Sequence, residues 1–113
     1  MSYVTDVLLI GSYGIHEEVE EFNAWCLEHD PERKQQLRPL DMDGAGGTKV
    51  IGARVYAMGG NYFPWYDLRN AVLAGLLRLL PGHMLRIEPE DGARVVLVST
   101  WDRGIVEVRD DAA

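Results

Sequence analysis

Apolar side chains outnumber the interior positions that one small sheet and two helices can offer them. The run Val95-Val96-Leu97-Val98 has no polar member, and the segments 4–10 and 50–58 carry apolar residues on both phases of their alternation. A strand sends successive side chains to opposite faces. These segments therefore offer apolar groups to both faces of a sheet. The helices of a two-layer domain cover only one. Surplus apolar surface of this kind usually meets a partner. The chain has 113 residues, enough for one domain (1–113) with a core of its own and not for two.

Periodicity sets the order of elements. Val4 to Ile10 reads as a central strand, and Gly11 to Gly14 as a turn. From Ile15 to about His29 the pattern is helical, with Ile15, Val19, Phe22 and Cys26 on one narrow stripe. Glu17, Glu18, Glu20 and Glu21 crowd its first turns, where the helix dipole favours negative charge. Asp30-Pro31 ends it, because the residue before proline avoids the helical region. Gln35 to Asp41 is a weak strand that Pro39 demotes to an edge. The glycine-rich stretch 43–47 is a connection, followed by a confident strand from Val50 to Met58.

Beyond the loop Gly59 to Pro64, the spacing predicts a second helix from Asp67 to Leu80, closed by Pro81-Gly82. A meander follows. Met84 to Glu88, Arg94 to Thr100 and Ile105 to Arg109 are strands, with turns at 89–92 and 102–104. The order β-α-β-β-α-β-β-β implies an α+β fold. It is expected to be a two-layer, ferredoxin-like β-α-β-β-α-β unit with two additional C-terminal antiparallel strands beyond the fourth.

Alternation then sorts the faces. Ile51, Val55, Leu85, Ile87, Val106 and Val108 are assigned to the helices. The open face receives Asp6, Leu8, Ile10, Arg54, Tyr56, Met58, Arg86, Glu88, Glu107 and Arg109, with one apolar pair of the fifth strand. That is an apolar middle with a charged margin, which is how interfaces are built. The second helix is apolar over an arc of roughly 200°, with Leu73 and Leu77 near the edge of the arc. The loop 61–66 holds Tyr62, Phe63, Trp65 and Tyr66, which are aromatics suited to anchoring a core or to recognition. The candidate protein-binding residues are Leu8, Ile10, Arg54, Tyr56, Tyr62, Trp65, Leu73 and Leu77.

Charge restricts the partners. The formal net charge is −7, and no more than two basic residues are adjacent (Arg33-Lys34), so a phosphate backbone is repelled and nucleic-acid binding is not expected. A basic protein suits an acidic surface. The single cysteine, Cys26, excludes an intrachain disulfide and fits a reducing, cytoplasmic setting. The apolar run at 7–10 is too short for a signal segment or a membrane span.

No motif for chemistry passes a check of spacing. Gly44-Ala45-Gly46-Gly47-Thr48-Lys49 has the glycines of a phosphate loop, but its lysine follows the threonine and the exit is a strand. His16 and Glu20 have one histidine where a helical zinc motif needs two. Asp41 and Asp43 lack the further oxygen ligands of a calcium loop. Cys26 lies on the inward helical stripe, with His29 three residues on, and reads as a small buried hydrophobe. No serine stands in a nucleophile-elbow sequence, and His83 receives no role.

The expected protein is therefore a non-enzymatic, acidic interaction domain with no cofactor or metal. It would be an inhibitor or immunity-type protein masking a basic site on its target. A structural or accessory subunit of a larger assembly is one alternative. A ligand-binding protein or enzyme is another, with a pocket at the aromatic loop lined by Asp6, Arg54, Tyr56, Tyr62 and Trp65. Homodimerisation through the open sheet face is compatible with the first two.

Overall fold

These periodicities become six strands and two helices in the computed structural model, which describes residues 4–12, 14–32, 35–40, 54–90, 92 and 94–110. In chain order they are β1 (Val4–Gly11), α1 (Ile15–His29), β2 (Arg38–Pro39), β3 (Arg54–Asn61), α2 (Trp65–Leu73), β4 (Met84–Pro89), β5 (Arg94–Thr100) and β6 (Gly104–Asp110). The strands form one antiparallel sheet in the order β2-β3-β1-β4-β5-β6. The α+β class expected from the sequence holds, in a continuous six-stranded order rather than that of a four-stranded unit alone. The glycine-rich connection, Asp41, Asp43, the 44–49 loop and the expected start of β3 at Val50 lie outside the described residues.

The helices pack on one face. The two helices close on β1 and β4 with a void of about 10 Å³ left between them, lined by Leu9, Phe22, Val72 and Leu85 among others, which is no more room than one water needs. Val7, Leu9, Leu85, Ile87, Val95 and Leu97 of the sheet, Ile15 and Cys26 of α1, and Leu68 of α2 are almost completely buried in this core. All four residues of the predicted α1 stripe are inside, joined by Trp25 and Glu18. β2 is the edge that Pro39 implied. It is two residues long, and Leu40 extends the contact by donating its N–H to the Val55 carbonyl at 2.9 Å.

α2 differs from the expected span at both ends. It begins at Trp65 and stops at Leu73 instead of continuing to Leu80. The reason is Gly75, whose φ of 80° is easy only for glycine. The Gly75 N–H bonds the Val72 carbonyl and the Leu76 N–H bonds the Ala71 carbonyl, which is a Schellman termination. The chain after it is not helical, so the 100° spacing no longer applies. Leu77 and Leu79 turn into the core, and Leu76 is left 79% exposed.

Register corrects the faces of two strands. Tyr56 pairs with Leu9 and Met58 with Val7, so both lie on the helix side, where each is 8% exposed. The Tyr56 hydroxyl lies 3.0 Å from His16 Nδ1 of α1. Tyr56 is thus a core residue, not part of an open-face contact. Both phases of this strand are apolar, and the pair with the larger side chains takes the interior. The same phase assigns Arg54 to the helix side, exposed at the start of the strand. In β6, Val106 pairs with Val98 and Val108 with Val96, placing both valines on the open face. Glu107 turns to the helix layer, where Arg69 of α2 grips it with two bonds, of 2.9 and 2.5 Å.

Candidate interaction surface

Antiparallel partners directly opposite one another share a face, so the register spells out the open side row by row. One row runs Ala57, Leu8, Arg86, Val96, Val108 across β3, β1, β4, β5 and β6. The next runs Val55, Ile10, Met84, Val98, Val106. Nine of these ten positions are apolar. On the β3, β1, β4 and β5 positions the side chains are half-buried by their neighbours, while Val106 and Val108 are 37% and 54% exposed. The apolar pair contributed by β5 is Val96 and Val98, not Val95 and Leu97.

The third row is polar: Gly59, Asp6 and Glu88, with Arg94 of β5 beside Glu88. Glu88 accepts from Arg86 at 2.6 Å and pairs with Arg94 at 2.5 Å. The Arg86 hydrogen bond, which outweighs the opposing effect of burial and is joined by the charges of Arg86 and Arg94, holds the Glu88 carboxyl below its ordinary range. The Arg86 Nε is buried without a hydrogen-bond partner among the described residues. Where Gly59 lacks a side chain, a concavity of about 390 Å³ opens beside Asp6, Leu8, Ala57 and Glu88. With Arg38 of β2, which pairs with Ala57 and so joins the first row, the charged side chains named on this face are two acids and three bases, so it carries no excess of acid in a chain of net charge −7.

Of the eight residues the sequence nominates, Leu8 and Ile10 sit on this face. Tyr56 and Leu77 are in the core, and Arg54 belongs to the other side. Tyr62 and Leu73 are exposed, while Trp65 packs partly against the core near Gly92. The aromatic loop splits accordingly, with Phe63 inward and Tyr62 outward at a φ of 52°. Asp6 and Tyr56 point to opposite faces, so the five residues proposed to line a ligand pocket do not converge. The valines of β6 and exposed Trp101 were missed, and the pair from β5 was left open between Val95 with Leu97 and Val96 with Val98. Gly104, which starts β6 opposite Thr100, fixes which valines face out, and that register is not written in the local alternation.

A second feature escaped the sequence entirely. Glu18 and His83 form a pair with each side chain only 2% exposed. The Ser12 N–H donates to His83 Nε2 at 3.0 Å, so that nitrogen is the acceptor and Nδ1 carries the proton donated to Glu18 Oε1. The Leu80 N–H bonds the other Glu18 oxygen at 2.7 Å. Gly11 makes room for the ring: a Cβ there would meet the imidazole at 2.6 Å. Every polar atom of the pair is engaged and shut from water. The arrangement clamps the end of β1, the start of α1 and the segment before β4, leaving no nitrogen lone pair for a substrate.

The other candidate chemistry is likewise engaged elsewhere. His16 meets Tyr56. His29 stacks on Trp25 with ring centroids 4.2 Å apart, and its Nδ1 lies 2.9 Å from the Trp25 carbonyl. Burial, with the nearby Asp30 charge, pushes the Cys26 thiol up to about 12, which keeps it protonated and inert. Among the described residues, no group of three His, Cys, Asp or Glu is placed to hold a metal, and no helix is long and apolar enough to cross a membrane. No family model, curated protein or solved structure matches this chain.

Proposed function

We propose that this chain is a non-enzymatic protein-interaction domain that meets its partner through the open face of the sheet. The observation that carries the reading is the pair of rows from β3 to β6, nine apolar side chains in ten positions on a side that neither helix covers. Apolar rows with Arg86 among them on β4, and Asp6, Glu88 and Arg94 along one end, have the composition of a contact surface. The buried Glu18–His83 pair is committed to structural hydrogen bonds, which favours binding over catalysis. The ferredoxin-like reading of the frame belongs here too, supported by the succession β2-β3-β1-β4 with β5 and β6 added outside β4.

The inhibitor form of the reading draws instead on acidity, and the acids lie elsewhere. Glu17, Glu20, Glu21 and Glu28 are on the exposed side of α1, across the molecule from the valines. A basic target would seat on α1, and an apolar one on the sheet. Site-specific photo-crosslinking in extract of the native host separates them. A probe at position 108 is expected to give discrete protein adducts that a probe at position 76, on the helix side, does not. Equal labelling from both positions, or labelling from α1 alone, would overturn the assignment.

A further inference from the structure

We infer that the occupant of the open face is a second copy of this chain, stacked sheet against sheet about a two-fold axis. The inference rests on the interaction-surface reading above and names its partner. The first argument is charge. Two copies of net charge −7 repel, and the repulsion depends on where the acids are. They crowd the solvent side of α1, while the open face carries no excess of acid. Stacked sheets lie about 10 Å apart and each carries its helices on the outer side, so the two acidic layers end up about 30 Å apart. That is several times the Debye length of about 8 Å at physiological salt. Joining the open faces is the arrangement that separates the acids furthest.

Complementarity is the second argument. A two-fold contact requires a surface that matches itself. With the axis along β4, the central strand of the five, β1 of one copy lies over β5 of the other. Leu8 then faces Val96, Ile10 faces Val98, and Ala57 and Val55 face Val108 and Val106. Among the described residues Asp6 has no ion pair; this axis sets it against Arg94 of the other copy, twice. On the axis itself Arg86 of one copy meets Arg86 of the other and Glu88 meets Glu88, and each chain's own Arg86–Glu88 ion pair offsets those like-charge contacts.

Extent is the third. Five strands about 4.8 Å apart and three rows about 7 Å apart give a projected footprint of roughly 500 Å², and a pleated surface exposes more than its projection. That approaches the about 800 Å² per partner of a stable complex.

The test is sizing of the full chain by sedimentation or light scattering from about 1 to about 200 µM, a range that brackets a modest dimer. The expected particle has twice the 12.7 kDa chain mass. Two variants locate the contact. Val106→Lys/Val108→Lys alters side chains already exposed, so folding is spared, and Met84→Lys sets two lysines against each other on the axis. Each is expected to weaken dimerisation at least about 100-fold, as loss of central contacts does, with circular dichroism unchanged. Leu76→Lys, on the exposed turn after α2, leaves the dimer intact. A monomer throughout the range overturns the inference, as does a dimer that both open-face variants leave unchanged. If the chain is monomeric and the position-108 probe still captures a host protein, the interaction surface stands and only its occupant is wrong. If neither is seen, both readings fall.

Discussion

The two faces of the sheet share a backbone and differ in nearly everything else. On the helix side, apolar groups interlock with α1 and α2, and three buried polar groups have side-chain or carbonyl partners: Tyr56 with His16, His83 with Glu18, Ser99 with the Leu79 carbonyl. On the open side, the apolar groups are smaller, mostly β-branched, and arranged in rows that nothing in the helix layer touches. One face is an interior finished within the chain. The other has the make-up of an interior without a cover. Polarity is therefore a poor guide to which side is which. The most deeply buried ionisable pair is on the closed face, and the most exposed valines are on the open one.

Substituting the same chemistry on each side breaks or confirms this contrast. Tyr56→Asp removes a buried ring and strands a charge in the core, and is expected to cost about 4 kcal/mol or more, enough to unfold the domain. Val108→Asp, on the other face, is expected to change the stability of dilute protein by less than about 0.5 kcal/mol. Urea denaturation of both variants reads the difference. Comparable losses would mean that the open face is core after all. Next in size is the clamp. His83→Ala leaves Glu18 without its buried partner and is expected to cost about 3 kcal/mol. Gly11→Ala forces a Cβ into the imidazole and is expected to cost about 2 kcal/mol. A Gly11→Ala protein as stable as the parent would show that the ring can move aside, and that the clamp is looser than its geometry.

How much of this was legible beforehand depended on whether the signal was local. α1 was readable to the residue, because four apolar positions at helical spacing and Asp30-Pro31 mark its face and its end. β2 was readable as an edge through Pro39. α2 was overrun because its leucines continue past the helix, and Gly75 gave a local stop signal that the leucine run outweighed. Phase in β3 and β6 was not readable. Apolar residues on both phases of β3 leave the choice to volume, and in β6 the choice is made by the Thr100–Gly104 pairing and by Arg69, 38 residues away from Glu107. The Glu18–His83 pair joins residues 65 apart and had no local mark at all. The surplus itself was legible, since it follows from counting, but the membership of the face was only half right.

A smaller effect probes the closed face without altering its shape. The Cys26 thiol is held up to about 12 against an ordinary 9.0, first by burial and then by Asp30. The folded state keeps the proton that the unfolded chain releases. Stability is therefore unaffected below about pH 9 and falls as pH rises from there toward 12. In the same way, an alkylating reagent at pH 8 is expected to leave native Cys26 unmodified and to label it completely in urea. Rapid native labelling would place the thiol outside the core.

The smallest expected effect carries the sharpest distinction between the two faces. An acidic surface that attracts a basic protein does so through charge, and its association weakens steeply as salt screens it. Two sheets meeting through valines, leucine, isoleucine and methionine gain little from net charge and lose little to screening. Their acidic helices are too far apart for repulsion to matter at moderate salt. The self-association constant is accordingly expected to change by less than about threefold between 0.1 and 0.5 M salt, with a slight rise if residual repulsion between the α1 layers is relieved. A fall of tenfold or more would mean that the contact is held by the Glu-rich helix, and that the open face of the sheet is not where the copies meet.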